Sequence, residues 1–306
     1  MKIRNELSAE DIPKETLARF NYLEYKDEET GCVLKYNLFV PLDAPANLPL
    51  VMFMGDARTV GPDATLPLRL CLGARVWTEP EFQARHPCIV LVPHFSQVAV
   101  NDNWERTQEV DVIPRLLSKV VRDTVADRNH LYTTGQSMGG MISLYLSATH
   151  PTLFAASLFV ACQWDATVLA PLGKQRFLYI VAGGDQKASK GMEELKKQLI
   201  GSNVSAELRQ EILIHNWSCS GFSTTEIDPR SPYAEEHLAA MLFNRYTSRR
   251  IFLTFPKGAV LPPDSSGHEH VCSFDHAYRL RPVLEWLLAR PPKTRHHAAL
   301  QPIINS

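Results

Sequence analysis

Three features are missing from this 306-residue sequence, and each absence excludes a class of protein. No apolar run approaches the ~18 residues of a membrane-spanning helix. The first residues turn polar at once, without the apolar core of a signal peptide. Charge of one sign is not in surplus, because 32 Lys and Arg oppose 33 Asp and Glu, for a net charge of −1. Binding to nucleic acid needs a basic surplus. These absences predict a cytoplasmic protein with neither a membrane nor a nucleic acid as partner.

The sequence also lacks the spacing of a disulfide framework or a zinc site. Its six cysteines lie far apart and form no C-x-x-C pair, which is typical of reduced thiols in a chain of this length. The motif H-E-x-x-H is absent as well: His268, Glu269 and His270 form a cluster, but the fourth residue after His268 is Cys272. Metal ligands normally come from a helix at i and i+4 or from separate elements. We therefore predict no metal and no cofactor.

No internal repeat or long linker divides the chain, and 45% of its residues are hydrophobic. From residue 50 onward, short apolar runs alternate with helical patterns, which indicates a mostly parallel sheet covered on both faces. Two earlier strands joined by a short turn add an antiparallel edge. Strands are predicted at 20–26, 32–40, 50–54, 88–92, 130–134, 154–161, 176–182 and 249–255. Helices are predicted at 107–124, 138–147, 188–200, 233–243 and 275–289, where Pro282 either kinks the last helix or marks its start.

The motif that carries chemistry is G-x-S-x-G at residues 135–139, centred on Ser137. A predicted strand precedes the motif and a predicted helix follows it, which is the context that a nucleophile elbow requires. In such an elbow the serine occupies a strained turn above the sheet, and the glycines leave room for the neighbouring strand and helix. The N-terminus of the helix favours the negative charge that develops on the substrate. The pattern predicts Ser137 as a nucleophile.

A serine nucleophile needs a base and an orienting acid, which follow it in chain order in this architecture. Asp185 comes just after a predicted buried strand and is our candidate acid, with Asp165 as the rival. His270 is our candidate base. His268 and His276 compete with it, and spacing alone does not separate the three.

The oxyanion of the reaction needs two backbone N–H donors. We expect one from Met138 and the other from Asp56 or Ala57, in the loop after the first central strand. Phe95, Gln163 and Trp164 follow buried strands at the same edge, so they are candidates for lining a substrate pocket.

Together these segments resemble the α/β-hydrolase superfamily, and most of all its esterase/peptidase-like branch related to feruloyl esterases and poly-3-hydroxybutyrate depolymerases. The resemblance spans about residues 30–290. It is carried by the residues 129–140, Asp185, His270, Ser273, Phe274, Ala277 and Tyr278. It implies the α/β-hydrolase fold and serine hydrolase chemistry, with Ser137 as nucleophile, His270 as base and Asp185 as orienting acid. The sequence departs from the family at Met54-Gly55-Asp56, where many relatives carry His-Gly.

The function predicted from these observations is cleavage of an acyl ester, thioester or amide of a small molecule through an acyl-enzyme. An acyltransferase or a cyclising enzyme would use the same three residues, and a non-catalytic binding module is a third hypothesis. We expect a single domain over 1–306, with an insertion or cap-like segment at about 200–247 and a flexible tail at 291–306. The sequence leaves a homodimer open.

Overall fold

A computed structural model describes residues 14–42, 45–201, 222–243, 249–263 and 267–289. Its centre is a nine-stranded sheet with the order β1-β2-β4-β3-β5-β6-β7-β9-β8. The strands are β1 (Asn21–Lys26), β2 (Val33–Phe39), β3 (Leu48–Met54), β4 (Ile89–His94), β5 (Ala126–Gln136), β6 (Ala156–Val160), β7 (Phe177–Ala182), β8 (Phe222–Glu226) and β9 (Arg250–Phe255).

Strand β2 pairs antiparallel with both β1 and β4, and every other neighbouring pair of the sheet is parallel. The predicted architecture, a mostly parallel sheet with an antiparallel N-terminal edge, is therefore confirmed. The strands β4, β3, β5, β6, β7, β9 and β8 all run in one direction. Their carboxyl ends therefore meet along one side of the sheet, which we call its carboxyl edge. Loops that leave this edge are where α/β proteins assemble their sites.

Helices cover both faces of the sheet. They are α1 (Lys14–Leu17), α2 (Leu66–Leu70), α3 (Leu72–Arg75), α4 (Pro80–Arg85), α5 (Gln108–Asp111), α6 (Ile113–Asp123), α7 (Met138–Thr149), α8 (Gln186–Gly201), α9 (Ala234–Leu242), α10 (Glu269–Arg279) and α11 (Arg281–Leu288). The predicted C-terminal helix is in fact two helices, since the chain is extended at Leu280 and Pro282 lies in the first turn of α11. Of the two alternatives for Pro282, the structure shows the helix start, where proline's missing N–H costs nothing.

The central strands are buried on both faces, which explains their continuous apolar sequences. In β3, Leu50 and Met52 pack into one hydrophobic cluster, whereas Val51 and Phe53 pack into the other. The first cluster contains side chains from α5 to α8, including the apolar stripe of α6, and the second contains side chains from α2 to α4 and α9 to α11. Two layers of helices thus hold the sheet and fix the positions of the loops at its edge.

Part of the predicted insertion at 200–247 is described, as β8 and α9, while 202–221 and 244–248 lie outside the described residues, as does the predicted tail at 291–306. Within the described ranges, no helix combines the length and the apolar character needed to cross a membrane.

A buried carboxylate next to the edge strand β1 provides a test of the fold that does not involve the predicted catalytic residues. Asp27, 1% exposed, follows β1 and accepts hydrogen bonds from Arg115 Nε at 2.6 Å and Nη2 at 2.9 Å. Hydrogen bonds from Arg115 and Thr30 hold the pKa of this carboxyl well below its ordinary value of 3.8. A depressed pKa stabilises the folded state above the unfolded-state pKa, and the stabilisation is lost as the pH falls through the lower, folded-state value.

We expect Asp27→Asn to lower the melting temperature at pH 7, because the substitution removes the charge that Arg115 pairs with. The difference from the wild type should begin to shrink below pH 4, where the unfolded wild-type carboxyl takes up a proton while the folded one is still ionised. Any catalytic activity should be unchanged, since β2, β4 and β3 separate β1 from β5. Thermal unfolding followed by circular dichroism at pH 7 and pH 3 checks this. Equal melting temperatures at pH 7 would contradict it.

Candidate active site

Ser137 occupies the sharp turn between the end of β5 and the start of α7. Its backbone has φ of 51° and ψ of −119°, a conformation that residues other than glycine seldom adopt and that costs about 1–3 kcal/mol. The Ser137 N–H donates to the Val160 carbonyl of β6 at 3.0 Å, which anchors the turn to the neighbouring strand. The surrounding sheet thus holds the serine in the strained geometry of an elbow.

The glycines of the motif are required by close backbone contacts. A Cβ at Gly139 would overlap the carbonyl of Met54 and lie 2.7 Å from the Gly55 oxygen, and a Cβ at Gly135 would overlap the carbonyl of Gly139. Neither contact can be relieved by a rotamer change, because the atoms belong to the backbone. The first turn of α7 therefore packs directly against the end of β3, where the loop with Asp56 begins.

A chain of hydrogen bonds joins the three residues that the sequence singled out. His270 Nε2 lies 2.8 Å from Ser137 Oγ, and His270 Nδ1 lies 2.5 Å from Asp185 Oδ2. An ionised carboxylate only accepts hydrogen bonds, so Nδ1 carries the proton of the neutral ring and Nε2 is left to accept from the serine hydroxyl. This is the tautomer that a general base requires.

Two local features hold the acid and the base in place. Asp185 follows β7 and is 7% exposed, and its Oδ1 accepts from the Ala188 N–H at 3.2 Å in the first turn of α8. His270 is the second residue of α10. Its ring packs edge to face with the ring of Phe274, one turn later, at a centroid distance of 5.1 Å and an angle of 77°. Both side chains are thus restrained before any substrate binds.

The rival residues lie elsewhere. Asp165 Oδ1 accepts from the N–H and the hydroxyl of Thr167, at 2.9 and 2.7 Å, and caps its own short turn. His268 is exposed, and His276 packs against Phe255, where burial lowers its pKa. Among the described residues, His270 is the imidazole that reaches Ser137.

No group of three or more His, Cys, Asp or Glu side chains suited to a metal ion occurs in the part of the chain that the structure describes.

The predicted oxyanion donors lie in the loop after β3 and at the start of α7. Ala57 begins a 3-10 turn, Ala57–Thr59, and Met138 begins α7, so the N–H of each lies at a helix start, without an acceptor in its own helix. The carboxylate of Asp56, which is 2% exposed, accepts hydrogen bonds from Gln136 Nε2 at 2.7 Å and from Arg58 Nε at 2.9 Å. Burial acts to raise the pKa of Asp56, but the hydrogen bonds and charge of Arg58, helped by Gln136, outweigh it and lower the pKa.

The carboxylate of Asp56 connects the loop after β3 to the residue before Ser137. No local motif in the sequence indicated this connection. The guanidinium of Arg58 also lies over the ring of Phe274, with its Cζ 5.7 Å from the ring centroid. Since Phe274 contacts His270, one set of contacts joins the loop after β3, the elbow and α10.

The three candidate pocket residues are all buried, in different surroundings. Phe95 lies in the hydrophobic core. Gln163 Nε2 donates to Asp102 Oδ1 at 2.9 Å, and the ring of Trp164 contacts that of Trp104 at a centroid distance of 5.5 Å. Trp104 is 37% exposed and has a φ of 65°, a strained value for a bulky residue. Gln163 and Trp164 thus support the loop that follows β4, and the more exposed aromatic ring there is Trp104, which no sequence signal marked.

Comparison with known proteins found a family model that matches part of this chain and solved structures with a similar fold. Residues 83–193 match the Esterase family model, described as "Putative esterase". No curated protein matches the chain in sequence. Among solved structures, a thermostable esterase is 21% identical, with a TM-score of 0.68 over 89% of this chain and 63% of that one. The present chain therefore spans less than two thirds of that esterase's length.

Two further solved structures are similar over most of their length. The feruloyl esterase module of Clostridium thermocellum, complexed with sinapinate, is 12% identical, with a TM-score of 0.57 over 91% of each chain. The substrate-bound fluorophosphonate-binding serine hydrolase F of Staphylococcus aureus is 11% identical, with a TM-score of 0.52 over 89% of this chain and 98% of that one. At these identities the similarity concerns the fold.

Proposed function

We propose that this chain, an esterase-like serine hydrolase with the α/β-hydrolase fold, cleaves an acyl ester, thioester or amide of a small molecule through an acyl-enzyme at Ser137. One observation carries the proposal. Asp185, His270 and Ser137 form a continuous chain of hydrogen bonds, with the serine hydroxyl in reach of an oriented imidazole. A serine hydroxyl is a weak nucleophile, and such a partner is what activates it.

In the first half-reaction, Ser137 Oγ attacks the carbonyl carbon while its proton passes to His270 Nε2. The negative charge that develops on the carbonyl oxygen is stabilised by the N–H of Met138 and by that of Asp56 or Ala57. His270 then donates the proton to the leaving oxygen, sulfur or nitrogen as its bond to the acyl carbon breaks. The alcohol, thiol or amine departs, and the acyl group remains on Ser137.

In the second half-reaction, a water molecule gives a proton to His270 Nε2 as its oxygen attacks the acyl carbon. The bond to Ser137 Oγ breaks, the serine recovers the proton, and a carboxylic acid leaves. Asp185 stays ionised throughout, where it orients the ring and stabilises the imidazolium. The buried Asp56 supports the oxyanion loop, because its carboxylate binds both Gln136 and the 3-10 turn that begins at Ala57.

The acyl-enzyme is the step to test. We expect p-nitrophenyl acetate, quenched in acid during turnover, to leave one acetyl group on the peptide that contains Ser137, as measured by mass spectrometry. An acetyl group on another residue, or hydrolysis with no acylated peptide at any time, would contradict the proposal. Added alcohols and amines provide the control for acyl transfer: a hydrolase releases acetate in their absence, whereas a transferase turns over only with an acceptor.

A further inference from the structure

Glu269 directly precedes His270, yet the mechanism above does not use its carboxylate. It is the first residue of α10 and is 8% exposed. No Lys, Arg or His pairs with it among the described residues. Instead, Oε2 accepts from the Gly184 N–H and Oε1 from the Gly258 N–H, both at 2.9 Å. Burial of a carboxylate is costly, and here two charge-assisted hydrogen bonds from the backbone compensate for it.

The two N–H donors belong to two different loops at the carboxyl edge of the sheet. Gly184 lies in the loop after β7 and immediately precedes Asp185, while Gly258, with a φ of 81°, lies in the turn after β9. Strands β7 and β9 are parallel neighbours. A single carboxylate therefore connects the loop that carries Asp185, the turn after β9 and the start of the helix that carries His270.

The fit around this carboxylate leaves no free space on the side of Gly184. A Cβ at that position would overlap the carboxyl group of Glu269. The loop can approach α10 this closely because residue 184 has no side chain. The contact thus depends on two residues, and each directly precedes a member of the hydrogen-bonded chain.

We propose that Glu269 is a positioning residue, which holds the Asp185 loop against the start of α10 and so keeps Asp185 in hydrogen-bond contact with His270. The inference rests on the proposed function, in which that contact orients the base. A displacement of about 1 Å in such an arrangement reduces the rate by roughly 10²-fold. Glu269 acts through His270 and touches no substrate.

The Glu269→Gln variant tests this role with little change in shape. Its amide oxygen can accept from only one of the two N–H groups, and its NH₂ faces the other donor. We expect kcat for p-nitrophenyl acetate to fall roughly 10- to 100-fold, with KM nearly unchanged. The low-field proton resonance of His270 Nδ1, the signature of its hydrogen bond to Asp185, should weaken or disappear. Glu235→Gln is the matched control, because Glu235 accepts from the backbone N–H of Arg281 on the helical layer. It should leave both readouts at the wild-type level.

Gly184→Ala disturbs the same contact from its other side. The neighbour it displaces is the end of a flexible side chain, so the protein should still fold. We expect a similar loss in kcat and in the His270 resonance, and the double variant should lose little more than either single one, since both remove one interaction.

The inference is overturned if Glu269→Gln or Gly184→Ala retains the wild-type kcat and resonance, even with a lower melting temperature, since the contact would then be structural only. Failure of the proposed function is a separate outcome. It is seen in the wild-type protein, as neither ester hydrolysis nor reaction of Ser137 with a fluorophosphonate, whatever the variants do.

Discussion

The Ser137→Ala variant should hydrolyse p-nitrophenyl esters about 10⁴- to 10⁶-fold more slowly than the wild type, because removing the nucleophile of such a triad abolishes the covalent route. Alanine lacks only the hydroxyl, whose partner is His270 Nε2. The fold should be retained, since the Ser137 N–H still bonds to Val160 and the positive φ is no worse for alanine. A small residual rate above that of water is expected from the oxyanion donors.

Ser118→Ala is the matched control for this loss. Its hydroxyl also hydrogen-bonds within the protein, to the Pro114 carbonyl at 2.8 Å in α6, and lies in an exposed position. We expect this variant to retain full activity. Steady-state kinetics and circular dichroism on both proteins provide the measurement. A folded Ser137→Ala protein with more than about a tenth of the wild-type kcat would be incompatible with a nucleophilic role.

The Gly139→Ala variant should lose most of its folded population, or fold with its elbow displaced and its activity lost. The new methyl group would overlap the Met54 carbonyl at the end of β3. Overpacking against side chains costs about 1–3 kcal/mol, and a collision with backbone at the centre of the sheet should cost more. That is a large fraction of the roughly 5–15 kcal/mol that stabilises a typical domain.

Gly173→Ala is the control, because it makes the same change at a position where there is room for a methyl group. A Cβ at Gly173 meets only Leu199 Cδ2, at 3.4 Å, which is an ordinary contact. Chemical denaturation of the two variants and the wild type compares their free energies of unfolding. Wild-type stability and activity in Gly139→Ala would show that the backbones of α7 and β3 are not in close contact.

Strands buried on both faces could be predicted from the sequence because their apolar runs need no knowledge of the partner strand. Strand β8, with the sequence Phe-Ser-Thr-Thr-Glu, was missed. It pairs only with β9 at the edge of the sheet and is mostly half-buried, so it has no apolar run to mark it. The short helices α2 to α4 were missed as well, because none is long enough to show a helical period.

The features of the candidate site likewise divide into those that a local sequence pattern predicts and those that depend on distant contacts. The elbow is local in sequence, so the motif, together with the predicted strand before it and the predicted helix after it, predicts both the turn and the residue that occupies it. The choice among His268, His270 and His276 depends on where α10 begins. The helix starts at Glu269, six residues before the predicted position, and this start places His270 in its first turn. The hydrogen bond between the Asp56 carboxylate and Gln136 joins residues 80 positions apart, and the one between the Glu269 carboxylate and Gly184 joins residues 85 positions apart. No local pattern encodes such contacts.

Reaction with a fluorophosphonate, followed by peptide mapping, is the decisive measurement of whether Ser137 is an activated nucleophile. The probe phosphonylates only a serine whose hydroxyl is activated. We expect one modified residue, Ser137, in the wild-type protein, no modification in Ser137→Ala and much slower modification in His270→Ala. A folded wild-type protein that stays unmodified, or is modified at a serine other than Ser137, would contradict it.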